Sequence, residues 1–154
     1  MINFVTKILR NSDGTSTLEL ALVFPIGMFL MLGAVDSSLG FAEKLRVEGA
    51  AARAIEQITA FSRVQGNYTA SRAEAAAGAN VNVSDVTVTN WLECNNVKQG
   101  SFTATCPNNS DQIARFVKVV ISGRFEPVIN YGGFLGADSN GIVRVQGDAS
   151  TRVQ

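Results

Sequence analysis

Hydrophobic residues follow three successive patterns along this chain. From Leu20 to Val35 the sequence LALVFPIGMFLMLGAV contains no charged residue, and the preceding residues 15–19 extend it to the roughly 20 residues that a helix needs to cross a bilayer. From Val47 to Phe61 the apolar residues recur every third or fourth position. Beyond Asp85 they alternate with polar residues. The order predicted is therefore a membrane-spanning helix, an amphipathic helix and a sheet.

The second pattern predicts a helix with one apolar side and one charged side. Glu48, Arg53, Glu56 and Arg63 fall opposite the apolar positions, which are Val47, Ala51, Ala54, Ile58 and Phe61. Only two heptads are sustained, so we expect this apolar stripe to cover the protein's own sheet rather than to form a coiled coil with another chain. No break in the pattern occurs before about Ser62, and one helix is predicted over 15–62.

The third pattern predicts three strands, over 86–92, 117–125 and 143–146. A short helix over 71–77 precedes them, with Ser71 and Glu74 as a capping box and Gly78 at its end. The predicted fold class is α+β, with a long N-terminal transmembrane and amphipathic helix packed on a small antiparallel sheet. The predicted segments are a leader (1–14), the long helix (15–62, with its transmembrane half at 15–36) and a head (63–154).

Composition excludes several classes of function. The chain has 154 residues, which leaves room for one small soluble domain after the long helix. Thirteen basic and 13 acidic residues cancel, so the chain lacks the positive charge of a nucleic-acid-binding protein. It contains no histidine, nucleophile motif or glycine-rich phosphate loop. We therefore expect no enzyme activity, no cofactor and no metal site.

Charge and cysteine usage place the head outside the cytoplasm. Lys7 and Arg10 precede the apolar segment with only Asp13 opposing them, so the N-terminus is expected to be cytoplasmic. Cys94 and Cys106 are the two cysteines, and in an exported domain they are expected to form a disulfide with each other. A redox or metal-binding role is the alternative, although the spacing is not C-x-x-C and no histidine is available.

Glu19 is the most informative residue of the apolar segment. A carboxylate at the membrane edge costs about 2 to 3 kcal/mol unless it is paired, and it stands five residues after Gly14. This arrangement resembles the prepilin signature, and in particular the TadE-like family of the tight-adherence (Tad) pilus system. The matching positions are Gly14, Glu19, Leu20, Ala21, Leu22, Val23 and Pro25, with Leu20 where the family more often has an aromatic residue. Phe125-Glu126-Pro127 and residues 149–153 resemble the family more loosely.

The resemblance implies processing followed by assembly. A membrane prepilin peptidase would cut between Gly14 and Thr15, where glycine leaves the backbone unobstructed. The new amine of Thr15 would lie one helical turn from Glu19 and could pair with it, in the same chain or a neighbouring one. The partners implied are the peptidase, other major and minor pilins, the inner-membrane assembly platform and the membrane itself. The protein would then be a minor pilin or pseudopilin of the inner membrane, with a periplasmic head that can be incorporated into an extracellular pilus.

One alternative to this interpretation remains open at this point. The leader could stay attached as a signal anchor, with Glu19 reaching toward the lipid headgroups. In that case the protein would be a single-span, membrane-anchored binding or sensor domain. The N-terminal sequence of the mature protein distinguishes the two.

Further residues of the helix are candidates for an assembly role. Pro25 removes a backbone donor and crowds the preceding turn, so a kink is expected there, assisted by Gly27. Gly33, Ser37 and Gly40 form a strip of small residues that would let another helix approach closely.

Two long connections complete the head. The first, over 95–112, is polar and is expected to project as a loop held at its base by Cys106. The second, over 127–141, contains Tyr131, Phe134 and Leu135, which are candidates for contact with another subunit. The alternative is that this loop folds back over the open edge of the sheet.

Overall fold

The computed structural model describes residues 15–61, 68–108, 110–129 and 136–153. The leader, the turn predicted at 65–67 and part of the second long loop lie outside them. The chain divides into two compact units, residues 1–38 and 39–154. The predicted α+β class is confirmed: a long, apolar N-terminal helix is followed by a small antiparallel sheet, and the second half of that helix packs on the sheet.

The long helix, α1 (Thr15–Phe61), has 47 residues and continues through Pro25. Leu, Ala and Met, which are favourable helix formers, dominate the segment around this proline. The structure therefore keeps Pro25 inside the helix, while the bend predicted there remains a prediction.

A second helix, α2 (Thr69–Ala79), is longer than the one predicted. The predicted capping box is wrong, because Ser71 lies inside the helix and is buried, while Tyr68 occupies the N-cap position without a side-chain capping bond. At the other end, Asn80 adopts the left-handed conformation with φ 52°, so asparagine rather than Gly78 ends the helix.

The sheet has four strands: β1 (Val86–Cys94), β2 (Val97–Lys98), β3 (Ile113–Phe125) and β4 (Val143–Arg152). Their order is β2-β1-β3-β4, and every neighbouring pair is antiparallel. The predicted three-stranded sheet thus lacked β2, which has only two residues. The prediction also ended β4 too early, because the inward positions after Val145 are Gly147 and Ala149, which carry little hydrophobic signal.

The core lies between one face of the sheet and the apolar stripe of α1. The stripe residues Val47, Ala51, Ala54 and Ile58 are buried, as are the inward residues Val86, Val117, Val119 and Ile121. On α2, Ala75, Ala76 and Ala79 join the same cluster. The expectation that the stripe covers the protein's own sheet is confirmed.

Candidate functional site

The first half of α1 exposes most of its large apolar side chains. From Leu18 to Val35 all of them except the half-buried Leu32 are exposed by 47% to 74%, a degree of exposure that a soluble surface rarely tolerates over so long a stretch. Within the part of the chain that the structure describes, α1 is long and apolar enough to cross a membrane. The segment is built to contact lipid or another apolar surface.

Glu19 is exposed near the start of this apolar helix. It stands four residues after Thr15, the first residue of α1, and side chains at this spacing lie one above the other on a helix. An amine at the nitrogen of Thr15 would therefore be on the same side of the helix as the Glu19 carboxylate. Gly14 lies outside the described residues, so both cleavage and this pairing remain predictions.

The small residues of α1 have different surroundings. Gly27 has no atom within 4 Å of the position that a Cβ would occupy, so the helix surface there is open. Ser37 Oγ donates a hydrogen bond of 2.8 Å to the carbonyl oxygen of Gly33, within the same helix. Gly40 faces the ring of Phe125, which a Cβ would approach to 3.3 Å. The helix-packing role predicted for Gly33, Ser37 and Gly40 stays a prediction, and at Gly40 the chain's own Phe125 already uses the free space.

The two cysteines form the predicted disulfide. Cys94 ends β1, and its Cα lies 5.8 Å from that of Cys106 in the following loop. Phe102, within the enclosed segment, is buried in the main core. The loop expected to project from the domain is therefore folded onto it.

Arg115 holds the same loop from the sheet side. Its Nε donates to the carbonyl oxygen of Phe102 at 3.1 Å, and a terminal nitrogen donates to that of Ala104 at 3.4 Å. Its guanidinium carbon also lies 6.0 Å from the centre of the Phe102 ring. The sequence pattern does not single out Arg115, because it is one more polar residue beside a predicted strand until the strand register is known.

The outer face of the sheet, turned away from α1, carries an aromatic pair. Trp91 and Phe116 are cross-strand partners, and their rings stack with 5.3 Å between centres. The ammonium of Lys98 lies 5.1 Å from the centre of the Trp91 ring, and the indole N–H of Trp91 donates to Glu93 at 2.8 Å. These groups engage one another and stabilise the end of β1.

Charged side chains occupy the rest of this outer face. Lys118 and Asp148 form an ion pair of 2.9 Å, and the hydrogen bond and charge of Lys118 hold the pKa of Asp148 below its usual value. Arg124 and Arg144 are directly opposite each other on β3 and β4, and both are exposed. Like charges in this arrangement destabilise a sheet unless an anion offsets them. The sequence gives no sign of this pair, since the two arginines are brought together only by the register.

Residues of α1 line two of the clefts in the described part of the second unit. One, of 290 Å³, separates α1 from α2 and has an alanine-rich floor that includes Ala50 and Ala54. The other, of 220 Å³, is lined mainly by polar groups, among them Glu43 and Arg46, which form an ion pair. The candidate contact residues Tyr131, Phe134 and Leu135 lie outside the described residues, and their role stays a prediction.

A family model matches a segment of the chain that includes most of α1. Residues 14–55 match the sequence model of the family described as TadE-like protein. No curated protein and no solved structure matches the chain. The match ends before the sheet, so the looser resemblance noted at Phe125-Glu126-Pro127 and 149–153 lies beyond it. The resemblance to the TadE-like family is confirmed over residues 14–55, the segment that contains Gly14, Glu19 and the exposed apolar helix.

Proposed function

We propose that this protein is a minor pilin or pseudopilin of a Tad-type pilus, made as a precursor and processed by a prepilin peptidase between Gly14 and Thr15. The observation that carries the proposal is the family match, which begins at Gly14 and covers the exposed apolar half of α1. The TadE-like match and a single apolar helix fit a membrane-anchored, single-pass, pilin-like protein associated with a Tad pilus. The minor-pilin role and the processing step are the finer part of the proposal.

The exposed apolar surface of α1 suits two environments, which the helix would occupy one after the other. In the membrane its apolar side chains contact lipid, and in a pilus they contact the helices of neighbouring subunits. Both environments are apolar, so the transfer costs little hydrophobic free energy. Glu19 makes the membrane and the pilus energetically different, because its carboxylate is stabilised in the environment where an amine can reach it.

The disulfide of the head is consistent with a domain that is exported and that folds before assembly. A disulfide requires an oxidising compartment, and here it closes a loop that packs into the core. We place the N-terminus in the cytoplasm and the head in the periplasm, from which the protein enters the pilus or helps to start it. Its partners are the prepilin peptidase, the other pilins and the inner-membrane assembly platform.

Intact-mass measurement of the membrane-extracted protein tests the proposal. When the chain is coexpressed with a Tad prepilin peptidase, we expect a mature protein that begins at Thr15, and the full-length precursor when the peptidase is absent. Gly14→Val should block processing, because a branched side chain would obstruct the backbone at the cut. Gly27→Val is the matched control, since the surface at Gly27 is open, and it should be processed normally.

The opposite result identifies the alternative function. If the leader is retained when an active peptidase is present, the protein is not a substrate of that peptidase and the proposal is wrong. The protein would then be a single-span anchored domain that binds a ligand or senses a signal.

A further inference from the structure

A tight turn follows Cys94 at the end of β1. Its central residues, Asn95 and Asn96, have φ values of 50° and 66°, and positive values at both positions are typical of the type I′ turn that joins antiparallel strands. The turn sets Val97 of β2 opposite Cys94, and Ile113 of β3 lies opposite it on the other side. Strand pairing therefore fixes the position of Cys94 independently of its disulfide.

Contacts with the sheet and the core hold the segment that leads to Cys106. The side chain of Phe102 is buried in the main core. Arg115 of β3 donates to the carbonyl oxygens of Phe102 and Ala104, at 3.1 and 3.4 Å. These contacts keep residues 102–104 against the sheet, immediately before the second cysteine.

Asp111 joins the two parts of the chain that carry the cysteines. One oxygen of its carboxylate accepts the side-chain amide of Asn95 at 2.7 Å, and the other accepts the backbone N–H of Asn108 at 3.1 Å. Asn95 follows Cys94 directly. Asn108 stands two residues after Cys106. A single carboxylate thus binds a neighbour of each cysteine.

Gln112 adds two hydrogen bonds to the same base of the loop. The backbone N–H of Asn95 donates to the carbonyl oxygen of Gln112 at 3.0 Å, and the backbone N–H of Gln112 donates to the side-chain oxygen of Asn95 at 2.9 Å. Asn95 therefore uses its backbone amide and both polar atoms of its side chain to hold the two ends of the loop together.

None of the contacts described above involves a sulfur atom. One hydrogen bond contributes a factor of about two to ten to an equilibrium, and a bond to a charged group such as that of Arg115 or Asp111 contributes more. Acting on one loop, such bonds favour its closed conformation whether or not the disulfide is present. Two thiols that are held close together react as an intramolecular pair with a high effective concentration.

We propose that Arg115 and Asp111 close the loop around Cys94 and Cys106 before the disulfide forms, and so direct each cysteine to its partner in the same chain. The disulfide then fixes a conformation that the non-covalent contacts have already selected. Disulfides between neighbouring copies of the protein are disfavoured, because each cysteine meets its intramolecular partner first.

The oxidation itself is a thiol–disulfide exchange with an external disulfide. The thiolate of one cysteine attacks the S–S bond of the oxidant, which forms a mixed disulfide and releases one thiolate of the oxidant. The thiolate of the other cysteine attacks the protein sulfur of the mixed disulfide and releases the second thiolate. Both cysteines lose their protons to solvent, the protein thiols are oxidised to a disulfide, and the oxidant is reduced to two thiols. The closed loop accelerates the second step, in which the two protein sulfurs must meet.

NMR spectroscopy of the full-length, detergent-solubilised Cys94→Ser/Cys106→Ser variant tests whether the loop closes without the disulfide. We expect cross-peaks between the Phe102 ring and methyl groups of the core, and a side-chain amide of Asn95 that exchanges with water about tenfold more slowly than in an unstructured chain. A folded sheet in which both signals are lost would show that the disulfide itself closes the loop, and the inference would be wrong. Loss of the sheet as well would also overturn it, because the closed loop would then depend on the disulfide.

A redox titration with reduced and oxidised glutathione measures the effective concentration of the two thiols in the full-length protein. Arg115→Met and Asp111→Ala should each lower it about fivefold, because the closed loop loses bonds that select it. Asp111→Asn keeps one acceptor oxygen and should give a value between those of Asp111→Ala and the wild type. The fraction of disulfide-linked dimers should rise as the effective concentration falls.

Arg124→Met and Asp85→Ala are the matched controls, because they remove the same residue types from positions outside the loop. Both should keep the wild-type effective concentration. Unchanged values for Arg115→Met and Asp111→Ala, or an equal fall in these variants and in the controls, would overturn the inference. Neither result affects the proposed function, which the intact mass of the processed chain tests separately.

Discussion

Gly147 on β4 lies directly against the backbone of α1 at Glu48. A Cβ at residue 147 would come within 2.6 Å of the Glu48 amide nitrogen, closer than such atoms can approach. The neighbouring strand shows the same feature at Gly123, where a Cβ would lie 2.9 Å from a methyl group of Val47. The helix is thus seated in a shallow groove of the sheet formed by two glycines, and side chains at these positions would push the two layers apart.

We expect Gly147→Ala to lower the free energy of unfolding by about 1 to 3 kcal/mol, because the added methyl group overpacks a backbone contact that has no flexible side chain to yield. Chemical unfolding of the detergent-solubilised protein, followed by near-ultraviolet circular dichroism, measures this. Gly100→Ala is the control, since nothing lies within 4 Å of that position. Equal stability of the two variants would show that α1 does not pack closely on β4.

Replacing Cys94 and Cys106 together by serine should lower the stability of the head by about 3 kcal/mol, the chain-entropy value for a loop of this size. Cleavage of the leader should be unaffected, because the disulfide lies in the head. Unfolding curves measure the first effect and intact mass the second. Free thiols detected by alkylation of the native exported protein would contradict the prediction.

The ion pair on the outer face predicts a pH effect at Asp148. Its pKa is lowered in the folded protein, chiefly by the hydrogen bond and charge of Lys118. The pair therefore stabilises the fold at pH values above the unfolded pKa of the carboxyl group, and the contribution is lost as the pH falls through the folded pKa. Lys118→Met should raise the pKa of Asp148 toward its usual value, as followed by NMR titration of the carboxyl carbon.

Lys44→Met serves as the comparison for that titration. Lys44 also lowers the pKa of Asp148, but through a smaller charge effect. Its loss should therefore raise the pKa less than the loss of Lys118 does. Equal effects of the two substitutions would mean that the hydrogen bond to Lys118 is absent in solution.

We expect Glu19→Gln and Glu19→Leu to be inserted and cleaved normally but to support few pili. The leucine variant should enter the membrane at least as readily, since it removes a costly carboxylate. Counts of surface pili and crosslinks to other pilins provide the measurement. Glu56→Gln, an exposed glutamate on the same helix, is the control. Normal piliation by the Glu19→Leu variant would show that the carboxylate has no assembly role.

The parts of the fold that follow a period were predictable from the sequence. The stripe that contains Val47, Ala51 and Ile58 identified both the amphipathic half of α1 and its packing partner, because buried helix positions must recur at 3.6 residues. The disulfide was predictable because an exported domain with two cysteines has one intramolecular pairing available.

The remaining features depend on register and on small residues, which carry no periodic signal. Gly147 and Ala149 occupy inward positions of β4, yet neither reads as hydrophobic, so the strand was predicted too short. Arg124 and Arg144 are separated by a long connection in the sequence and become neighbours only through the pairing of β3 with β4. Arg115 likewise acts on a loop that folds back over the sheet.

Lys44 occupies a carbonyl group on the edge strand of the sheet. Its ammonium donates to the carbonyl oxygen of Gln146 on β4, the outermost strand on that side of the sheet, and also pairs with Glu48 at 2.9 Å. An outermost strand offers unpaired peptide groups to which a strand of another chain can add, and a charge placed on it opposes such growth. By occupying this carbonyl, Lys44 leaves the edge of β4 less available at Gln146 to a strand of another chain.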